Sequence, residues 1–153
     1  RIVKQLLQRG MILGDVSVVK PEYKHNESRL DFLVTLLDGQ HVYCEVKSVH
    51  IKVDDKAVFP VGYKKKKDAT VSERANRHLT ELTQIASNGG KAMVVFVVQR
   101  GDCKAFSPNI QQDPLFAQLV HNAIEKGVLV KVVYTNVTRE GIFLESIGDY
   151  VHL

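Results

Sequence analysis

Apolar and polar positions alternate or recur along the chain in patterns that predict both helices and strands. Apolar residues at positions 2, 3, 6 and 7, followed by Gly10, predict a short helix with a glycine cap. The segment "DVSVVKPEY" predicts a strand whose pairing is limited at Pro21. Two runs rich in Val and Leu, Leu30 to Leu37 and Val42 to Ile51, flank Asp38-Gly39. That dipeptide is typical of tight turns, so the two runs predict a β-hairpin.

The second half of the chain alternates amphipathic segments with continuously apolar ones. The segment "TVSERANRHLTELTQIASNGG" has an apolar stripe at helical spacing, so it predicts a helix that starts near Thr70 or Ser72. The runs "KAMVVFVV" and "VLVKVVY" are typical of strands covered on both faces. Between them, Asp113-Pro114 predicts the start of another helix and Gly127 its end. Residues 91 to 134 therefore predict one β-α-β unit with parallel strands.

The order of these elements is α-β-β-β-α-β-α-β, with "TNVTREGIFLE" as a final turn and short strand. An antiparallel hairpin that leads into a parallel unit predicts an α/β fold, in which a mixed β-sheet is flanked by helices. Residues 1–153 have no internal repeat or break, and we expect a single domain. The stretch from Lys52 to Val71 holds Pro60, Gly62 and a lysine run, so it predicts a long mobile loop.

Composition narrows the protein class only a little. Apolar residues make up 44% and charged residues 25% of the chain, as is usual for globular proteins, and no apolar run is long enough to cross a membrane. Cys44 and Cys103 are isolated, which is unlike a disulfide scaffold and favours an intracellular location, in the cytoplasm, nucleoid or nucleus. The net charge of +4 is a mild indication of a polyanionic partner. The lysine run, Lys64 to Lys67, is the densest positive charge.

The predicted hairpin carries three charges that strands of a core rarely hold: Asp31, Glu45 and Lys47. Because side chains alternate along a strand, Tyr43, Glu45 and Lys47 share one face. A strict two-residue turn at Asp-Gly would place Asp31 opposite Val46, on the wrong face from Glu45. One extra residue in the loop or a bulge would instead place Asp31 opposite Lys47 and diagonal to Glu45. The register of this hairpin therefore decides whether the three charges meet.

Carboxylates that share a face would suit a hard divalent cation such as Mg²⁺ or Mn²⁺. Asp31 and Glu45 would bind the metal ion, and Glu22 on the preceding strand could supply a third carboxylate. Lys47 could orient a water molecule or stabilise charge on a phosphoryl group. The alternative is a solvent-facing strand with a simple ion pair between Asp31 and Lys47, because a bare D…ExK spacing is a weak pattern.

A longer set of segments is more specific. "SRLDFLV", "VYCEVKSVHI", "AVFP", "SERANRHLTEL", "GKAMVVFVVQR" and "FSPNIQQDPLFAQLVHNAIEKGV" occur in that order, and together they resemble the sugar fermentation stimulation protein family. The resemblance implies DNA binding and a restriction-endonuclease-like core of the PD-(D/E)xK type. It also implies that Asp31, Glu45 and Lys47 match the catalytic positions of that signature. Glu22 matches an upstream glutamate whose spacing differs by up to a residue.

The same resemblance implies differences from the usual family member. "VGYKKKK" between Pro60 and Asp68 is an insertion, and the chain starts where an N-terminal domain similar to an oligonucleotide-binding barrel would end, so we expect that domain to be absent. Arg74, Arg77 and His78 are assigned to the polar side of their helix, as solvated residues or as phosphate contacts. The residues expected to contact nucleic acid are Arg29, Lys64, Lys65, Lys66, Lys67, Arg74, Arg77 and His78.

Two functions follow as hypotheses. The first is a DNA-binding protein of the sugar fermentation stimulation type with a metal-dependent nuclease site, either a Mg²⁺- or a Mn²⁺-dependent deoxyribonuclease. The second is a non-catalytic DNA-binding regulatory module on a nuclease-like scaffold, in which the acidic residues are inherited. A protein-interaction domain is a third class without specific support. The expected partner is DNA and no membrane, and the sequence does not determine the number of copies in an assembly.

Overall fold

The structure is a computed structural model that describes residues 2–60 and 73–150. Within those ranges it contains three helices, α1 (Ile2–Gln8), α2 (Glu73–Ser87) and α3 (Pro114–Glu125). It also contains the following strands: β1 (Val16–His25), β2 (Ser28–Leu36), β3 (His41–Val49), β4 (Ile51–Val53), β5 (Lys56–Phe59), β6 (Lys91–Gln99), β7 (Ala105–Pro108), β8 (Leu129–Thr138) and β9 (Gly141–Asp149).

Six strands form the main sheet, in the order β1-β2-β3-β6-β8-β9. The pairs β1–β2, β2–β3 and β8–β9 are antiparallel, whereas β3–β6 and β6–β8 are parallel. The helix between β6 and β8 is α3, and its N-cap is Asp113, whose side chain accepts a hydrogen bond from the backbone N–H of Phe116. The predicted mixed sheet and its β-α-β unit are therefore confirmed.

Helices cover both faces of this sheet. Val94, Phe96 and the inner sides of α2 and α3 form one core, and Val95, Val97 and α1 form the other. Strand β6 is buried from Ala92 to Val98, because both of its faces are covered. This explains the continuous apolar run in the sequence. Among the described residues, no helix has the length and apolar character that a membrane crossing needs.

A small second sheet replaces part of the predicted mobile loop. Strand β4 pairs antiparallel with β5 through a turn at Asp54, whose φ is +54°, and β5 pairs in parallel with β7. The prediction of a loop is therefore wrong for residues 52–59, because Ala57 and Val58 are buried by pairing with a strand that lies almost 50 residues later. Residues 61–72, which include Lys64 to Lys67 and both predicted helix caps, lie outside the described residues.

The hairpin of β2 and β3 closes through a three-residue loop. The N–H of Leu36 donates to the carbonyl of Gln40 at 2.8 Å, so Leu37, Asp38 and Gly39 form the loop. Phe32 pairs with Cys44 in this register, and the next residues along the two strands are Asp31 and Glu45. The strict two-residue turn is therefore excluded, and the extra loop residue places Asp31 beside Glu45. The expectation that Asp31 would lie opposite Lys47 is wrong by two residues along β3, because the next pair in the ladder is Asp31 with Glu45.

Candidate active site

Two acidic side chains meet where β2 and β3 separate. The Oδ2 atom of Asp31 accepts a hydrogen bond of 2.7 Å from the backbone N–H of Val46. The carboxyl group of Asp31 is also hydrogen-bonded to that of Glu45. Two carboxyl groups form such a bond only when one of them holds a proton, because two carboxylates can only accept. Asp31 and Glu45 thus form a carboxyl pair on one face of the sheet, as the predicted register irregularity required.

Lys47 and His78 surround Glu45. The Nζ atom of Lys47 lies 3.1 Å from Oε2 of Glu45 and 3.1 Å from Nδ1 of His78. The Nδ1 atom of His78, from the first half of α2, also contacts Oε2 of Glu45. Glu45 is only 2% exposed and His78 only 3%, so the carboxylate is removed from water. A buried carboxylate is costly unless it is paired, and these two neighbours provide the pairing.

The two acids have opposite pKa shifts. Burial, followed by the hydrogen bond and the negative charge of Glu45, raises the pKa of Asp31 to about 7, against the opposing effects of Val46 N–H and Lys47. Burial alone would raise the pKa of Glu45 as well. Hydrogen bonds from His78 and Asp31, together with the charge of Lys47, outweigh burial and lower the pKa of Glu45 to about 2. Below pH 7 the proton of the pair therefore resides on Asp31, whose O–H donates a hydrogen bond to Glu45.

The other acid predicted for this site does not join the pair. Glu22 lies between Pro21 and Tyr23, whose partners on β2 are Phe32 and Leu30, so it is level with Asp31 in the ladder. Its φ is +54° and it is exposed. Within residues 2–60 and 73–150, no group of three His, Cys, Asp or Glu side chains is arranged to hold a metal ion. The expectation that Glu22 completes a set of three ligands is therefore not met.

The predicted basic residues have different environments. Arg29 on β2 and Arg74 and Arg77 on α2 are exposed, as phosphate contacts need to be. The assignment of His78 to the polar side of its helix is wrong, because the imidazole is buried against Glu45. Helical spacing did contain this information, because His78 lies three residues after Ala75 and four before Leu82, which are both buried.

A second polar cluster, which sequence reasoning did not assign to the site, continues from it along the same two elements. The Nδ1 atom of His25, at the end of β1, lies 2.7 Å from Oε1 of Glu81 on α2. The His25 ring packs edge-on against Tyr43, with centroids 5.1 Å apart, and Tyr43 packs edge-on against Tyr23. The sequence contained one indication that Tyr43 lies next to the site: Tyr43 and Glu45 are two residues apart on β3 and therefore share one face.

These features define a class of protein: an α/β domain with a six-stranded mixed sheet and a buried carboxyl pair next to a lysine and a histidine. Residues 1–141 match the family model of the sugar fermentation stimulation protein RE domain. The chain is 35% identical over 146 residues to a sugar fermentation stimulation protein homolog from Gloeobacter violaceus. It is 37% identical over 148 residues to another from Jannaschia sp.. The chain belongs to the sugar fermentation stimulation protein family.

The alignments cover 93% and 94% of the chain but 58% of each of those two relatives. The chain therefore spans somewhat more than half the length of the relatives that it matches. Among solved structures, it is similar to the structure of Pyrococcus furiosus SfsA in complex with Ca²⁺, with 27% identity and a TM-score of 0.78. That similarity covers 95% of this chain and 59% of the Pyrococcus furiosus chain. The arrangement of helices and strands described above is thus shared with a solved member of the family.

Proposed function

We propose that this chain is a DNA-binding domain with a metal-dependent phosphodiesterase site on a restriction-endonuclease-like core of the PD-(D/E)xK type. The observation that carries the proposal is the meeting of Asp31, Glu45 and Lys47 on one face of β2 and β3. A simple ion pair between Asp31 and Lys47 would not need a second carboxyl group, that of Glu45, which is only 2% exposed. Burying such groups costs free energy that a merely structural role does not need.

The donor set fits a divalent cation. Both candidate ligands are carboxyl groups, which are the ligands that Mg²⁺, Mn²⁺ and Ca²⁺ prefer. The pKa of Asp31 is raised to about 7 because burial and the neighbouring Glu45 disfavour its charged form. A cation bound beside the two carboxyl groups would favour the charged form of Asp31 and so lower its pKa. The Pyrococcus furiosus relative was solved in complex with Ca²⁺, which supports a divalent cation here. Bound there, the cation would supply Lewis-acid activation of a phosphoryl group and lower the pKa of a water molecule.

Each side chain of the site has a role that its contacts suggest. Asp31 and Glu45 would hold the cation, with Mg²⁺ or Mn²⁺ as the ion for cleavage. The ammonium group of Lys47, 3.1 Å from Glu45, would orient the attacking water or stabilise negative charge on the phosphoryl oxygens. His78 positions Glu45 through its Nδ1 contact and does not itself contact the substrate in this proposal. Its proposed role as a phosphate contact is replaced by this one.

The exposed arginines of α2 supply the phosphate contacts. Arg74 lies one helical turn before His78, so both are on the same side of the helix. Arg77 is adjacent to His78, and both arginines are exposed. Arginine binds phosphate oxygens through paired N–H donors, which fixes the orientation of a nucleic-acid backbone. Arg29 on β2 and the run from Lys64 to Lys67 are further candidates for contacts with the DNA backbone.

A cleavage assay tests the proposal. Single- and double-stranded DNA would be incubated with the chain in Mg²⁺ or Mn²⁺, alongside the variants Glu45→Ala and Lys47→Ala. Because removing a group that stabilises transition-state charge costs about 100- to 1,000-fold, we expect each variant to lose at least that much activity. Arg139→Ala, on the turn between β8 and β9, is the matched control and should retain full activity. Activity that survives both site substitutions would contradict the proposal.

The alternative is a DNA-binding module without catalysis. One observation favours it: Oε2 of Glu45 is already satisfied by Lys47 and His78, so the site is partly neutralised by its own side chains. In that case wild-type chain would bind DNA but leave it uncut in either metal. Calcium, magnesium and manganese would also leave its melting temperature unchanged. A rise in melting temperature with metal that Asp31→Asn abolishes would exclude this alternative.

A further inference from the structure

A pocket lies beside the carboxyl pair, between the start of β3 and the last turns of α2. Its volume is about 370 Å³, and its walls include His25, Asn26, Tyr43, Gln84 and Asn88. This volume falls at the small end of the range for small-molecule sites, which begins at about 300 Å³. The pocket and the site are built on the same two elements, because Tyr43 lies two residues before Glu45 on β3 and Glu81 lies three residues after His78 on α2.

We propose that this pocket receives an unpaired nucleobase of the nucleic acid whose backbone phosphate lies at Asp31 and Glu45. The inference deepens the proposed function and rests on it. It assigns the substrate as single-stranded DNA or a duplex with an extruded base, since a base inside a duplex cannot enter a pocket without leaving the stack. The residues that carry the recognition are Tyr43 and His25 for stacking, and Gln84 and Asn88 for hydrogen bonds.

The aromatic wall of the pocket is held rigidly. Tyr43 is half-buried and is packed edge-on by two rings, those of Tyr23 at 5.9 Å and His25 at 5.1 Å. His25 is in turn fixed by Glu81 at 2.7 Å, and because a carboxylate only accepts, Nδ1 of His25 donates. The remaining nitrogen of a neutral His25 is then an acceptor. Tyrosine and histidine rings are the surfaces on which proteins stack unpaired bases.

The opposite wall offers amide groups. Gln84 and Asn88 are exposed and lie on neighbouring turns at the end of α2, where the N–H of Asn88 donates to the carbonyl of Gln84. Asn26, in the turn after β1, adds a third amide. Each amide presents both donors and an acceptor, which is what the edge of a nucleobase requires. Stacking on one wall and hydrogen bonds from the other together form a site for a flat polar ring.

The charges around the pocket disfavour a phosphate there. The C-terminal end of α2 has a partial negative charge, and the carboxylate of Glu81 is close by. The exposed arginines, Arg74 and Arg77, lie at the opposite end of the same helix. Helix α2 therefore presents these groups in order, with the arginines in its N-terminal half, then His78 against Glu45, and then the pocket residues Gln84 and Asn88 at its C-terminal end.

Equilibrium binding of short single-stranded DNA to the chain, with Ca²⁺ present, tests the pocket. An abasic site would be moved through each position of a fluorescently labelled strand, and affinity would be read from anisotropy. Because stacking on an aromatic side chain contributes roughly 5- to 150-fold per base, we expect one abasic position to weaken binding by a factor in that range. Tyr43→Ala should weaken the intact strand similarly and leave its affinity for that abasic strand unchanged.

Three further variants make the result specific. Tyr43→Phe keeps the ring and should restore binding of the intact strand, which separates stacking from loss of structure. Gln84→Ala, on the exposed side of a helix, should alter the preference among the four bases at the sensitive position. Phe143→Ala on β9, where the ring is 53% exposed, is the matched control for removal of an exposed aromatic and should change nothing.

The outcomes separate this inference from the proposed function. Equal affinity for intact and abasic strands at every position, or an equal loss for both strands in Tyr43→Ala, overturns the base pocket. Base-dependent binding by a chain that cuts no strand in Mg²⁺ or Mn²⁺ upholds the pocket and overturns the phosphodiesterase site. A chain that binds neither strand but cuts duplex DNA in Mg²⁺ or Mn²⁺ overturns the base pocket and keeps the phosphodiesterase site.

Discussion

At the scale of single residues, the central feature is a proton shared by two acids whose surroundings differ. Asp31 and Glu45 are hydrogen-bonded to each other, but only Glu45 also contacts a lysine and a histidine. These contacts decide which acid keeps the proton. The hydrogen bond from His78 and the positive charge of Lys47 favour the ionised form of Glu45, so the proton stays on Asp31. The two carboxyl groups are therefore not interchangeable, and substitutions at them should have different effects on stability.

We predict that Asp31→Asn stabilises the metal-free chain at neutral and alkaline pH. The pKa of Asp31 is raised from 3.8 to about 7, so Asp31 lowers the free energy of unfolding once pH exceeds 3.8. This loss of stability reaches its full size above pH 7. Asparagine removes this penalty and can still accept from Val46 N–H and donate to Glu45. After discounting for the partial exposure of Asp31, we expect a gain on the order of 1 kcal/mol at pH 8.

Urea denaturation of both proteins in EDTA, from pH 4 to pH 8, measures this difference. The two free energies of unfolding should converge near pH 4 and separate as pH rises through 7. The pKa of Glu45 is lowered to about 2, so the ionised form of Glu45 stabilises the folded chain, in contrast to Asp31. This stabilisation is complete above the unfolded pKa of 4.5 and is lost as pH falls through 2. This effect is common to both proteins. Equal stability at pH 8 would contradict a raised pKa at Asp31.

At the scale of elements, the hairpin loop sets the register that brings the acids together. Three loop residues, Leu37 to Gly39, replace the two of a strict Asp-Gly turn, and this changes which face Asp31 occupies. Gly39 has a φ of +87°, in the left-handed region. Hairpins with three-residue loops commonly end on such a residue, which leads the chain back into the strand.

We predict that Gly39→Ala destabilises the fold by roughly 1–2 kcal/mol, the cost of a left-handed conformation for a residue with a Cβ atom. A Cβ atom at this position would meet nothing within 4 Å, so the effect is conformational and not steric. Gly148→Ala is the matched control, because its Cβ would also meet open space and its φ is not positive. Chemical denaturation should show a loss for the first variant only, and equal losses would refute a special role for the turn.

The sequence predicted the larger elements well and the smaller ones poorly. The helices α2 and α3 and the strands β3, β6 and β8 have their own apolar periodicity, so local residues were sufficient to find them. Strands β4, β5 and β7 have three or four residues each, which is too short for a periodicity to be recognised. Strand β1 also continues past Pro21 to His25, although proline was expected to limit pairing there.

At the scale of the whole molecule, the placement of a few exposed arginines bears on the proposed contact with a polyanion. Arg74 and Arg77 are exposed in the N-terminal half of α2. The net charge of +4 is modest, so the placement of these arginines matters more than the total. The chain spans 58% of the length of the first relatives that it matches.

We predict that the double substitution Arg74→Ala and Arg77→Ala weakens DNA binding in a salt-dependent way. If each arginine contacts one phosphate, the slope of log affinity against log salt concentration should fall by about 1.8 on duplex DNA, at about 0.9 per phosphate. Anisotropy titrations at several salt concentrations measure the slope. Arg139→Ala removes one exposed positive charge from the β8–β9 turn and should leave the slope unchanged. An unchanged slope in the double variant would show that α2 does not contact the backbone.

The sequence by itself determined the α/β class, the parallel β-α-β unit, the family and the identity of the three charged residues in the hairpin. Each of these depends on local periodicity or on a string of neighbouring residues. Only the tertiary structure decided that the acids meet, because a hairpin register changes face with a single loop residue. Only it placed His78 against Glu45 and Glu81 against His25, since these pairs are 33 and 56 residues apart in the chain and no local pattern links them.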